Sequence, residues 1–156
     1  MQLAIYVGLL HTAEETLADS YRQVATGHAA EADVFHICHQ LAAQCDTHAD
    51  AITRVADRYG EQKQSEPERL HADGLTETRD GPVGLLRDLQ DLFMLASFVD
   101  ITWTCVGQAA QGARDDELFG LVSRYQHQIA TQLAWLRTRM QQAAPQALLI
   151  APAENG

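Results

Sequence analysis

Apolar side chains recur along this chain with a helical period, in four long stretches separated by polar or glycine-containing breaks. In the first, Leu3, Val7, Leu10, Leu17, Tyr21 and Val24 share one stripe and predict a helix over about 2–26, stopped at Gly27. Glu14 stands on that stripe between Leu10 and Leu17, whereas Glu15 falls about 100° further round and is expected to be solvated. In the second stretch Val34, Cys38, Leu41, Cys45, His48, Ile52, Val55 and Tyr59 form a seam, predicting a helix over roughly 31–59 with Arg54 and Arg58 in its last turns. The connection GHAAE is short, so these two helices are expected to pack as an antiparallel hairpin.

The third stretch, 81–112, is apolar nearly all round, and from Leu92 onward its only side chain of ordinary charge is Asp100. Such a helix has to be buried on more than one side, inside a bundle or against a second subunit. Heptad steps from Leu86 place Leu86, Phe93, Asp100 and Gly107 on one row, with Leu89, Ala96, Trp103 and Ala110 on the alternate row. Asp100 is therefore expected on the core-facing stripe, where a carboxylate needs a partner. Asp80, Gly81 and Pro82 supply the helix start. A fourth helix is predicted over about 117–144, capped by Asp115 or Asp116, with an apolar stripe at Leu118, Leu121, Val122, Tyr125, Ile129, Leu133, Leu136 and Met140. Its second stripe, of small residues, includes His127, and Pro145 is expected to end it.

Helices of this length are about 40 Å long, and two hairpins of them make a four-helix bundle. The expected architecture is all-α, an antiparallel four-helix bundle over 1–145, with 146–156 as a tail that docks on the bundle or on a partner. Residues 61–82 are polar, punctuated by Pro67, Gly74 and Gly81, and long enough to cross the whole bundle between the second and third helices.

Composition narrows the function classes. A chain of 156 residues with 46% hydrophobic content suits one self-sufficient domain. A formal charge of −10 with scattered basic residues argues against nucleic acid or an anionic membrane as partner. Three cysteines, 38, 45 and 105, do not make a disulfide framework and suit a reducing, cytoplasmic setting. The first ten residues lack a basic segment and read as helix rather than signal. The longest apolar run, around 92–106, is shorter than the roughly 20 residues needed to span a bilayer and has Asp100 in its middle. No nucleophile elbow and no CxxC or HExxH pattern occurs, so nucleophilic catalysis has no support.

Cys45 and His48, three residues apart on an inward face, can meet as metal ligands do, or pack as ordinary core groups. With this helix order and spacing the chain resembles the ferritin-like superfamily, which includes rubrerythrin and bacterioferritin. Its di-iron members carry a Glu on the first and third helices and a Glu-x-x-His on the second and fourth. The resemblance implies Glu14 and Asp100 as the lone carboxylates, with Asp91 a rival, and Cys45-Asp46-Thr47-His48 and Arg124-Tyr125-Gln126-His127 in the motif places. Both motif glutamates are missing, and a thiol and a guanidinium do not reproduce the charge of bridging carboxylates. Arg124 is expected to pair with Asp100 or Glu14 and to fill the electrostatic role of a metal.

Three readings follow. The first is a bundle with a degenerate di-iron site, no cofactor and no catalysis, acting through a homodimer along the third helix or through a protein partner. The second holds a single zinc or iron on Cys45, His48, His127 and either Asp100 or Glu14, with a redox, storage or stress role. The third is a small-molecule cavity around Trp103, Tyr21 and Tyr125.

Overall fold

A computed structural model describes residues 2–59, 74–150 and 152. Four long helices make up most of it: α1 (Gln2–Gly27), α2 (Ala32–Ala56), α3 (Gly81–Gly112) and α4 (Asp116–Pro145). A 3-10 turn, Asp57–Tyr59, extends α2, and a π turn, Gln146–Ile150, follows α4. No strand occurs among the described residues. The protein is all-α, and residues 60–73, most of the expected crossover, lie outside the described residues.

Each helix is bounded by residues whose chemistry suits the place. The Asp115 carboxylate accepts the Leu118 N–H at 3.1 Å and so caps α4. Arg114, at φ 54°, makes the left-handed step that turns the chain out of α3. Gly81 has φ 76°, a conformation that favours glycine, and Pro82 occupies the first turn of α3. The Asp80 side chain makes no capping bond. Pro145, expected as a terminator, closes the regular part of α4, but the chain winds on as the wider π turn. That turn buries Ala147 against Leu86 and Ala143, which docks the tail on the start of α3.

α1 packs along α2 and α3 along α4, and the two pairs meet through α1 with α3 and α2 with α4. Leu10, Leu17, Tyr21, Val34, Ile52, Leu89, Leu92, Trp103, Leu118, Ile129 and Leu136 fill one core drawn from all four helices. The stripes read for α1 and α2 are the buried ones, except that α2 ends at Ala56 and Tyr59, in the 3-10 turn beyond it, is only half-buried. In α3 the phase differs from expectation. Leu85, Leu92, Val99 and Val106 face the core together with Leu89, Ala96, Trp103 and Ala110, while Phe93 and Asp100 lie on the flank, half-buried.

Two sets of polar contacts tie helix ends together. Where α1 ends, buried His28 meets fully buried Asp88 near the start of α3 at 2.7 Å. Asp88 also accepts the Arg79 backbone N–H at 2.9 Å and its guanidinium at 2.7 Å, and the same guanidinium reaches Asp91 at 2.9 Å. Just before α3, the Leu75 N–H donates to Ser20 Oγ on α1 at 3.2 Å. At the end of α2, the Tyr59 hydroxyl and the Arg58 guanidinium both bond Asp115 at the start of α4. By length and composition α3 is apolar enough to cross a membrane, yet one whole face of it is packed against the other helices.

Candidate functional site

The core is not purely apolar. Midway along the helices Glu14, His48 and Gln132 are fully buried, a placement that costs several kcal/mol unless each polar atom finds a partner. Glu14 Oε1 lies 3.0 Å from His48 Nδ1 and accepts the Trp103 indole N–H at 2.8 Å. The other ring nitrogen of His48, Nε2, lies 2.7 Å from Gln128 Oε1. Both ring nitrogens thus lie within hydrogen-bond distance of an oxygen. The Tyr125 ring, 4.8 Å away by centroids, and the Trp103 ring, edge-on at 6.0 Å, wall the imidazole in.

A second row of bonds adjoins the first. The Tyr21 hydroxyl donates to Gln132 Oε1 at 3.0 Å, and Gln132 Nε2 donates to Gln44 Oε1 at 3.1 Å. Cys45 Sγ sits 3.8–3.9 Å from the same carboxamide. Burial, followed by the nearby Glu14 carboxylate, pushes the Cys45 thiol well above its ordinary value. Burial and then Asp33 push the Cys38 thiol up to about 12. Raised in this way, both sulfurs favour the protonated thiol and are poor nucleophiles. The Tyr21 phenol is raised by burial first and by Cys45, Cys38 and Glu14 after it, and it stays a hydrogen-bond donor. Glu14 Oε2 is buried without a hydrogen-bond partner.

Of the residues singled out from the sequence, Glu14, Cys45 and His48 come together in this layer. Asp100 does not join them: it is half-buried on the flank of α3, where Gln126 Nε2 approaches its carboxylate at 3.4 Å. The cause is the one-residue phase difference in α3, which brings Val99 inward in its place beside Trp103. His127 is exposed: the apolar stripe of α4 lies where it was read, His127 falls outside it, and Gln128 turns toward His48. Arg124 is exposed and lies over the Tyr125 ring at 5.3 Å, so His48 and not Arg124 is the basic side chain beside Glu14. Asp91 is half-buried in the Arg79 cluster. Trp103, Tyr21 and Tyr125 are buried together around the layer as its donors and walls.

Sequence reasoning missed the three glutamines. Gln132 had a usable signal: it stands at the core step between Ile129 and Leu136 on the stripe of α4, where an apolar residue belongs. Gln128 and Gln44 are half-buried and carry no such mark.

The donor set decides what the layer can hold. It offers one carboxylate, one imidazole with both nitrogens engaged, a protonated thiol, three carboxamides, a phenol hydroxyl and an indole N–H aimed at the carboxylate oxygen. A pair of divalent ions needs several carboxylates for neutrality, and an N–H directed at the single available one opposes a cation there. These residues do not fit a di-iron centre. Among the described residues no group of three His, Cys, Asp or Glu side chains converges as a metal site requires. No protein-family profile, curated protein or solved structure matches this chain.

Proposed function

We propose that this is a ferritin-like four-helix bundle in which a hydrogen-bonded layer stands where relatives of that kind hold two metal ions. It acts without catalysis, through an exposed surface, first of all by pairing with a second copy along α3. The two helix pairs are read as antiparallel hairpins joined by a crossover. Support comes from the end contacts: α2 ends at Asp115, beside the start of α4, whereas the chain re-enters at Leu75 beside Ser20 of α1 and begins α3 at His28. A connection between such places has to travel along the bundle.

The observation that carries the reading is Glu14, a lone core carboxylate already taken by His48 and Trp103. The four places that would bear Glu, Glu-x-x-His, Glu and Glu-x-x-His are Glu14, Cys45-x-x-His48, Trp103 and Tyr125-x-x-Gln128. On this reading a thiol, an indole and a phenol stand in three of the four carboxylate places. Three free cysteines agree with a reducing, cytoplasmic setting.

The test is elemental analysis of protein purified without chelator, then titrated with Fe(II), Mn(II) and Zn(II). Sub-stoichiometric metal and a melting temperature indifferent to EDTA are expected. One observation favours a second reading, a single zinc or iron on Glu14, Cys45 and His48: Glu14 Oε2 has no partner and Cys45 lies beside the same carboxylate. One equivalent of metal, lost in Cys45→Ser and His48→Ala, would establish that reading and overturn the first.

A further inference from the structure

Asp100 is a carboxylate without a good partner. The Gln126 carboxamide nitrogen reaches its Oδ1 only at 3.4 Å, at the weak end for an N–H···O bond, and makes its better bond to Thr104 Oγ1 at 2.7 Å. The three arginines of α4 are engaged elsewhere: Arg124 lies over the Tyr125 ring, Arg137 over the Phe93 ring, and Arg139 bonds Glu31 and Asp33. A half-buried charge on the most apolar helix of the chain is thus met by one long amide contact.

That carboxylate stands at one end of a groove of about 470 Å³ between α3 and α4, a size that suits a small molecule. Thr104 lies beside Gln126 and Gly107 beside Val122, so the groove runs from Asp100 and Ala130 to Gln108 and Phe119. Eight residue steps make it about 12 Å long. Its two ends differ. Thr104 and His127 line the part next to Asp100, whereas Gly107, Val122 and the half-buried Phe119 ring give the far part an apolar floor. The groove opens on the flank of α3 that faces α4, about a quarter-turn round the helix from Met94 and Ile101.

We propose that this groove binds a small primary amine with an apolar body, its ammonium on Asp100 and its hydrocarbon toward Phe119. The charge of the ligand follows from the anchor. A carboxylate with no cation beside it gains most from a charge-assisted N–H donor and repels an anion. An ammonium has three donors, enough for Asp100 and the neighbouring Thr104 hydroxyl together. The body follows from the floor, because apolar ligand surface covered by Val122 and Phe119 adds affinity that a bare ammonium ion lacks. A formal charge of −10 draws cations to the whole surface, so it is the pairing of carboxylate and apolar floor that selects. The acidic recess between α1 and α2, lined by Glu15, Asp19, Asp46 and Asp50 with Ala49 as its one apolar side chain, attracts cations without sorting their bodies.

The experiment is titration of the intact, isotope-labelled chain with hexylamine, hexanol and hexanoate, read from backbone amide shifts. Hexylamine is expected to move the amides of Thr104, Gly107 and Ser123 saturably, with hexanol roughly tenfold weaker and hexanoate without effect. Asp100→Asn keeps the shape and should bring hexylamine down to the hexanol level. Asp50→Asn, an equal loss of charge in the other recess, should leave hexylamine binding unchanged. Ser123→Trp fills the groove and should abolish binding of both, with helical circular dichroism as in the parent. Hexanol binding as tightly as hexylamine, or an equal loss in the two Asn variants, would overturn the role of Asp100. Shifts confined to the amides of Glu15, Asp46 and Asp50, or no saturable shift at all, would overturn the site. Each result is read apart from the metal analysis, which concerns the interior layer alone.

Discussion

If Glu14 is the shared partner at the centre of the buried layer, truncating it should be among the most damaging single changes in the chain. Glu14→Ala strips the Trp103 indole N–H of its acceptor and leaves His48 Nδ1 facing a void in a fully buried place. Breaking a buried pair by removing one member costs about 3–5 kcal/mol. For a chain of this size that lowers Tm by on the order of 10 °C. Glu14→Gln keeps an oxygen for one of the two donors and puts an amide where Oε2 has no partner, so its cost should be smaller, about 1–2 kcal/mol. Urea unfolding followed by helical circular dichroism measures both, and the double variant Glu14→Ala/His48→Ala closes the cycle. A coupling of about 1–3 kcal/mol is expected, since the two groups touch. Glu14→Ala within about 1 kcal/mol of the parent, or additive with His48→Ala, would refute the account of the layer.

Three further outcomes test other parts of the structure. Burial alone would push the Asp115 carboxyl up, but bonds from Tyr59, the Leu118 N–H and Arg58 outweigh it and hold the group below its ordinary value. Its stabilising contribution is therefore full above the unfolded-state value of about 3.9 and is lost as pH falls through the lower folded-state value. Asp115→Asn keeps a capping oxygen and loses only the charge toward Arg58 and Tyr59, so it should cost up to about 1 kcal/mol at neutral pH, and the gap to the parent should close in strong acid. Thiol titration with an aromatic disulfide should count one reactive cysteine in the native chain and all three after denaturation, because Cys38 and Cys45 are buried and protonated. Gly84→Ala should destabilise by about 1–3 kcal/mol, since a Cβ there would stand 2.8 Å from the Arg79 carbonyl carbon and push the segment before α3 off Asp88. A neutral Gly84→Ala variant in thermal unfolding would show that this segment is not held as described.

The legible part of the fold follows from contrast. In α1 and α2 charged positions alternate with apolar ones, so the stripes through Leu10, Glu14, Leu17 and Tyr21, and through Cys38, Cys45 and His48, have a definite phase and prove buried. In α3 the contrast is missing: Leu85 and Leu86, Leu92 and Phe93, Val99 and Asp100 are adjacent candidates for one row. A row through Leu86, Phe93 and Asp100 reads as plausibly as the true row through Leu85, Leu92 and Val99. Asp100 drew attention because it is the charge in that run, yet a lone charge in an apolar helix sits most cheaply on its flank. The interior carboxylate is Glu14, in a helix where polar residues are common and a buried one stands out less. Gln128 and Gln132 were hidden because glutamine is mostly a surface residue, and only its place in the apolar stripe betrays Gln132.

The ambiguity of α3 carries information of its own. α4 fills its outward positions with Arg124, His127, Thr131 and Arg137, as a helix does when one face meets water. α3 has an equally complete inner face, from Leu85 through Val99 to Ala110, so its outward Met94 and Ile101 do nothing for the core of this chain. Holding them in water forfeits about 25 cal/mol for each Å² left uncovered, a loss that a second buried face would recover. Ile101→Lys therefore separates two cases. If α3 faces only water, the replacement is neutral or raises solubility with Tm independent of protein concentration in both chains. If α3 meets a second copy, the parent's Tm rises with protein concentration and that of the variant does not.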